Sequence, residues 1–411
     1  MRISLPMGSS TITGDVSDDA QIILPKKNNK KTIDSDILLK NALSSPIASR
    51  PLGEIIGSDE SVAILVSDIT RPVPTKKLLP HLFTELEHAG VKSRTRIIFG
   101  LGLHRLMSES EKKHILADYY YQASHLEHEL DHCTYLKDTK QGTPVEIFSK
   151  VAECDRIICT GNIEFHYYAG YTGGAKALLP GVSSERSIIT NHSLMLDETS
   201  YTGNIDGALR RDIDEAGRIA GIDFIYDVVL DSNKNVIHAV AGDAIKAHRN
   251  GTQIVDELYK IPVEPADIVI VSAGGMPKDI NLFQAHKALE NVKNAVKDGG
   301  AIILAATCGE GYGNSVFETW INECRTPQDA ITRLQKGFVM GGHKAALIGK
   351  LALEKELYLI SNNGSAFAER AYFKHASTLQ KAINAAMKNR TKPRILVVPY
   401  GNITLLTKNS I

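Results

Sequence analysis

Short uninterrupted apolar runs alternate along the chain with longer stretches of helical periodicity. Residues 61–66 (SVAILV), 96–99, 156–160 (RIICT), 268–272 (IVIVS), 301–306, 356–360 and 395–398 are runs of the first kind. A parallel strand buried on both faces has that unbroken pattern. The periodic stretches at 75–89, 244–259 and 281–297 predict helices between them. Run, polar loop, helix and run in succession is the βαβ pattern, which predicts an α/β fold with mainly parallel sheets. Minor strands are expected at 2–5 and 21–24, a solvated turn at the basic 26–31, and a short helix at 36–43 capped by Asp34 or Ser35. Residues 106–150 read as polar and mostly helical, and the chain reads as helical from His192 to Arg218. Residues 224–230 and 236–241, joined by a polar turn at 231–234, read as a β-hairpin. Pro262 and Pro265 mark a boundary. The expectation is two α/β domains, 1–262 and 263–411, with the active site in the cleft between them.

In open parallel sheets, ligands collect beyond the carboxyl ends of the strands. The run at 61–66 leads into Asp68, Thr70 and Arg71, and the run at 96–99 into His104 and Arg105. The run at 156–160 opens FHYYAGYTGGAKALLPGVSSERSIITNH, which holds His166, Gly170, Gly173, Gly174, Lys176 and His192. Glycine lets a main chain approach a ligand closely. Histidine shuttles protons near neutral pH and ligates metals, and a lysine here is either a phosphate clamp or a covalent tether. Plainer readings stand beside these: Asp68 or Thr70 as a helix cap with Pro72 at the helix start, and the later stretch as a surface loop rich in His and Tyr. His125, His128 and His132, spaced i, i+3, i+7, share one helical face, read as solvated rather than metal-binding. Gln284 and Lys287, three apart on a helix, either hold a carboxylate or form an ordinary surface pair. The GGMPKD segment after 268–272 is only a weak likeness to a phosphate loop.

Composition removes several classes. With 411 residues the chain exceeds a single core. Lys+Arg and Asp+Glu are both 47, so no global field draws the protein to nucleic acid or an anionic membrane. No secretory apolar region or membrane-length run occurs. Five cysteines without CxxC spacing point to a reduced, cytoplasmic setting. GxSxG, HExxH and GxGxxG are all missing, which disfavours serine hydrolases, zinc hydrolases and dinucleotide-dependent dehydrogenases. The residues themselves describe a two-domain α/β enzyme with histidine acid/base groups, a special lysine and an anion site. Lysine Schiff-base chemistry stays open.

Four blocks, SDITRPVP, GLGLHR, GNIEFHYYAGYTGGAKALLPGV followed by NH, and AGGMPKDINLFQAHKAL, resemble in sequence and order the signatures of the nickel-dependent lactate racemase family. The resemblance implies an isomerase, a racemase or epimerase of a 2-hydroxy acid, that binds metal through a nickel-pincer nucleotide. This cofactor, Ni pyridinium-3,5-bisthiocarboxylic acid mononucleotide, would be attached covalently at Lys176, with His192 as a nickel ligand. The same resemblance makes His104 and His166 the acid/base pair, puts Asp68, Thr70 and Arg71 at the cofactor, and gives the substrate carboxylate to Gln284 and Lys287. Hydride would pass to and from the cofactor through a flat 2-keto acid. Cofactor-synthesis and insertion proteins would be the cellular partners. Two departures concern the substrate end: Phe283 stands where the lactate enzyme has tyrosine, and Trp320 falls too early to match its tryptophan. A longer 2-hydroxy acid, such as an aldonate, is therefore an expected alternative to lactate. A non-nickel lysine-dependent or dehydrogenase-like enzyme, or a cofactor-binding protein, is the competing reading.

Overall fold

A computed structural model of the protein describes residues 1–26 and 34–409. The turn expected at 26–31 lies, from residue 27 on, outside the described residues. The chain divides into two units, Asn28–Glu257 and a discontinuous one made of Met1–Lys27 with Leu258–Ile411. The expected boundary near 262 is thus close, but the amino-terminal segment belongs with the carboxyl-terminal unit rather than the first domain. Its strands explain why. β1 (Arg2–Met7) and β2 (Ser10–Asp15) form a hairpin whose Gly8 amide donates to Asp279 Oδ2 at 2.6 Å, and β3 (Gln21–Ile22) pairs with a strand near the carboxyl end.

The Asn28–Glu257 unit opens with a helix, Ser35–Ser44, capped by Asp34. Its six-stranded sheet is built from β4 (Val62–Ser67), β5 (Thr95–Gly100), β6 (Ser124–Glu127), a later strand at 156–162 and the hairpin at 222–242. All of β4 from Val62 to Val66 is buried, as a strand covered on both faces demands. The helix Thr75–His88 turns Leu78, Leu79, Leu82, Phe83 and Leu86 into the core, the face that 3.6 residues per turn provides.

Residues 106–150 depart from the helical expectation. Only Glu109–Leu116, Tyr119–Gln122 and the start of Ser149–Ala152 are helical; the remainder holds β6 and a hairpin of β7 (Cys133–Asp138) and β8 (Pro144–Phe148). His125 sits in β6 opposite Ile97, His128 follows that strand and is buried, and His132 is exposed before β7, so no helical face joins them. Edge strands carry polar side chains, which gave this segment the look of a solvated helix.

β9 (Arg156–Asn162) lies at the centre of the sheet and leads to a small hairpin, β10 (Phe165–His166) with β11 (Gly170–Tyr171). The helix Glu185–Ser193 carries His192. Residues 197–207, expected to be helical, form turns instead, because this segment packs on Gly170: the Gly203 amide donates to the Gly170 carbonyl at 3.1 Å. The helix resumes at Ala208–Ala220, and β12 (Ile222–Leu230) and β13 (Val236–Gly242) form the expected hairpin, with β12 parallel to β9.

The helix Lys246–Tyr259 leads into the second unit. β14 (Lys260–Val263) pairs with β20 (Leu405–Lys408). The main sheet is all parallel, in the order β18 (Lys374–His375), β17 (Glu356–Ile360), β16 (Val296–Ala305), β15 (Ala266–Ser272), β19 (Ile395–Val398) and β3. Apolar side chains cover both of its faces, Val269 and Val271 on one and Ile268 and Ile270 on the other. The helix Leu282–Val292, capped by Asn281, carries Gln284 and Lys287; it ends sooner than expected because β16 begins at Val296.

Candidate active site

Three strand ends in the Asn28–Glu257 unit deliver the candidate groups. Beyond β4, Asp68 is buried and both of its oxygens are engaged. Oδ1 accepts the Thr70 hydroxyl at 2.6 Å and the Thr70 amide at 3.0 Å, and Oδ2 meets His104 Nδ1 at 2.5 Å. The helix that follows starts at Thr75 after Pro74, with no side-chain cap, so Asp68 and Thr70 do not cap it. Burial raises the Asp68 pKa, but hydrogen bonds from His104 and Thr70 and the charge of Arg71 outweigh it and hold the carboxyl below its usual range. His104 stands beyond β5 with its side chain 45% exposed. Arg105, at the next position, is exposed and paired with Glu111.

Beyond β9, His166 is buried on β10, and its Nδ1 accepts the Ala169 amide at 3.3 Å. Its ring lies edge-on to Tyr168 at 4.4 Å between centroids. Tyr168 in turn meets the His192 ring at 5.2 Å, and Lys176 Nζ is 6.0 Å from its centroid. Tyr168 therefore gathers His166, Lys176 and His192 around one buried ring. Arg71 joins the two loops: its charge acts on both Tyr168 and His192. Sequence reasoning missed Tyr168. Its signal was an aromatic doublet beside glycines, which is equally common on a surface.

Lys176 sits in a tight turn, Gly174–Ala177. Gly173 and Gly174 have φ of +82° and +60°, and a Cβ on Gly173 would lie 2.7 Å from Asp227 Oδ2. Backbone conformation and space both restrict this corner to glycine. The Gly181 carbonyl accepts the Gly102 amide at 2.9 Å, which ties the end of the lysine loop to the turn that presents His104.

His192 is buried, and its Nδ1 has no hydrogen bond of normal geometry. Burial first, then the charge of Lys176, pushes its pKa down to about 3 against the pull of the Ile188 carbonyl. The ring is therefore neutral, the state in which imidazole ligates a metal. Among the described residues no three His, Cys, Asp or Glu side chains converge as a protein-built metal site.

In the other unit, Gln284 and Lys287 are half-buried and share one face of the helix Leu282–Val292. Phe283 packs edge-on against Phe317 at 5.9 Å, with Lys344 Nζ 3.6 Å from its ring centroid. Trp320 is a core residue, 2% exposed, with the Arg333 guanidinium over its ring at 4.6 Å. Among the described residues, no helix is long and apolar enough to cross a membrane.

Comparison with known proteins adds an independent line. Residues 7–203 match the family described as lactate racemase N-terminal domain, and residues 261–406 the lactate racemase C-terminal domain. The chain is 30% identical to the lactate racemase of Thermoanaerobacterium thermosaccharolyticum, over 97% of this chain and 98% of that one. It is 31% identical to the lactate racemase of Lactiplantibacillus plantarum, over 77% of each. The structure of the T. thermosaccharolyticum lactate racemase apoprotein aligns with a TM-score of 0.93 at 27% identity, covering 99% of this chain and 100% of that one. A Thermotoga maritima crystal structure aligns with a TM-score of 0.66 at 17% identity, a likeness of fold alone.

Proposed function

The chain belongs to the lactate racemase family and is an isomerase, and from that premise we propose that it racemises or epimerises a 2-hydroxy acid, lactate or a longer one. We further propose that it does so with a nickel-pincer nucleotide tethered covalently at Lys176. The observation that carries this reading is the gathering of His166, Lys176 and His192 around Tyr168. A single neutral imidazole does not make a metal site, so His192 fits a metal that arrives with soft donors of its own. Lys176 and His192 would hold the group, with Asp68, Thr70 and Arg71 beside it, and when bound it supplies an acceptor for the α-hydride.

The proton chemistry falls to the two histidines. His104 donates Nδ1–H to Asp68, so its Nε2 carries a lone pair and takes the substrate hydroxyl proton. Asp68 then stabilises the imidazolium that forms. His166 accepts the Ala169 amide on Nδ1, so its neutral ring carries the hydrogen on Nε2 and donates a hydrogen bond to the substrate oxygen on its side. These tautomers follow from the hydrogen-bond partners. They give the pair different starting roles, His104 as proton acceptor and His166 as hydrogen-bond donor. The proton held on the His104 imidazolium is the one returned to the product oxygen or exchanged through His166 when the opposite enantiomer turns over. Lys287 supplies charge and Gln284 a directional amide to the substrate carboxylate, so that the α-carbon turns over about an anchored end.

On this reading the protein works in the cytoplasm and receives its cofactor from separate synthesis and insertion proteins. Intact-protein mass spectrometry with metal analysis tests it, on protein produced together with those proteins. The expected result is an adduct at Lys176 with nickel in equal amount. An active protein free of both would establish the competing lysine-dependent or dehydrogenase-like enzyme.

A further inference from the structure

Three buried side chains with no part in the proton chemistry grip two successive peptide groups of the lysine turn, between Thr172 and Gly174. His248 Nε2 donates to the Thr172 carbonyl at 2.8 Å, and Arg210 Nη1 donates to the Gly173 carbonyl at 3.2 Å. Asp227 Oδ2 accepts the Gly174 amide at 2.6 Å. They come from three elements, the helix Lys246–Tyr259, the helix Ala208–Ala220 and β12, and none is more than 1% exposed. Burying charged and polar groups so fully is costly unless each finds a partner. Here the partners are main-chain atoms of the residues just before Lys176.

The helix Ala208–Ala220 reaches further. Asp214 Oδ1 holds Arg210 through Nε at 2.9 Å and Nη2 at 2.6 Å. Asp212, also buried, accepts Asn191 Nδ2 at 2.8 Å on one oxygen and the Thr139 hydroxyl on the other. Asn191 directly precedes His192. One helix thus bonds to the turn that carries Lys176 and to the helix that carries His192.

We propose that Arg210, Asp227 and His248 are positioning residues that fix the Thr172–Gly174 backbone, and that Arg210 and Asp212 on their shared helix set the spacing between the Lys176 amine and the His192 imidazole. The purpose of that spacing rests on reading Lys176 as the tether and His192 as the metal ligand; the brace itself does not. Its physical need is plain. Glycine gives up more conformational freedom on ordering than any other residue, so the Gly173–Gly174 pair requires an external hold. Apolar packing would leave these peptide groups unpaired.

The test uses protein made without cofactor. A small amine-reactive reagent is applied, and labelling of buried Lys176 is read by peptide mass spectrometry against exposed Lys150. Asp227→Asn keeps an acceptor for the Gly174 amide; Asp227→Leu removes it. Expected is a rise of about tenfold in the Lys176:Lys150 ratio for Asp227→Leu, with Asp227→Asn within about twofold of wild type, as the loss of one hydrogen bond to a charged acceptor implies. His248→Leu and His248→Gln give the same contrast for Thr172, and decide the matter if Asp227→Leu does not fold. Arg210 is left intact because its removal strands the buried Asp214. A folded Asp227→Leu or His248→Leu protein with the wild-type labelling ratio overturns the brace. Protein carrying the cofactor reads the spacing. Asp212→Leu is expected to keep the Lys176 adduct mass while retaining less nickel, which general destabilisation would not separate; equal retention overturns that part. Wild-type protein that never acquires an adduct defeats the tether reading and leaves the labelling result standing.

Discussion

His104 Nδ1 lies 2.5 Å from Asp68 Oδ2, while the Thr70 hydroxyl occupies the other oxygen of the same carboxylate at 2.6 Å. A carboxylate held at both oxygens cannot swing away, so the imidazole it orients is fixed in direction and tautomer. Asp68→Asn is nearly isosteric, but its amide can donate to Nδ1 and move the ring proton to Nε2, turning a base into a donor. The expected loss is about 10²–10⁴-fold in kcat, with a smaller change in KM, as for other oriented histidine bases. Chiral chromatography of product formed from each enantiomer measures it; an unchanged kcat would contradict the role of the pair.

Stability is expected to fall as the pH drops below neutrality. Burial lowers His128 to about 4 and His192 to about 3, and depresses His248 and His286 as well. In the unfolded chain these rings take up protons around pH 6.5, while the folded chain refuses them, so acid favours unfolding. Each ring contributes up to about 1.4 kcal/mol per pH unit within its window. Asp227 acts in the opposite sense. Burial raises it to about 6, so between there and 3.8 the folded chain binds its proton first and offsets one ring. Denaturant titrations between about pH 7 and pH 5 should show a net loss, to which the imidazoles contribute before most carboxylates do.

His128 isolates one such ring away from the site. Both of its nitrogens are buried without a hydrogen bond of normal geometry, burial outweighs the pull of the Ser183 backbone, and the ring packs edge-on against Phe148 at 5.9 Å. Replacing it with leucine removes polar atoms that burial penalises. His128→Leu should stabilise the protein by about 1–3 kcal/mol and flatten part of the acid loss. Denaturation midpoints at neutral and mildly acidic pH give both numbers; a destabilised variant would show that the ring has an essential partner.

Lys287→Ala should act on substrate binding. Loss of the charge on the carboxylate is expected to lower kcat/KM about 100-fold, chiefly through KM, with a smaller effect for Gln284→Ala. Both variants should keep the Lys176 adduct, since the proposed function gives neither residue a part in holding the cofactor. Assaying the wild type on a panel of 2-hydroxy acids addresses substrate choice. Lactate as clearly the best substrate would leave the Phe283 and Trp320 departures without functional weight.

The positions at strand ends were legible because an apolar run followed by a polar loop fixes where a side chain emerges. Asp68, His104 and His166 were found in this way. Their pairing was not, because Asp68 and His104 are brought together by adjacent strands 36 residues apart. The edge of the sheet was misread: β6 and β7 carry too many polar residues to resemble buried strands, and His125, His128 and His132 borrowed a helical spacing. Arg210, Asp212 and His248 were invisible for a related reason. A charged residue in an amphipathic helix reads as its wet face, and only the folded turn of Gly173 and Gly174 reveals what these side chains hold. Membership of the family was readable from the four blocks, since their order and spacing survive where single residues do not persuade.

Among the described residues, the strand Gln21–Ile22 finds its only sheet neighbour in Ile395–Val398. On the ribosome, where chains emerge amino end first, this edge must wait for nearly the whole polypeptide before it can pair. The 28–257 unit carries no such debt, since every strand of its main sheet is available once residue 242 has emerged. Order of synthesis thus favours completing the body that bears Lys176 and His192 while the other is still open at both ends of its sequence. A ribosome stalled short of residue 395 would hold a chain with one finished half and an amino terminus still searching for its place.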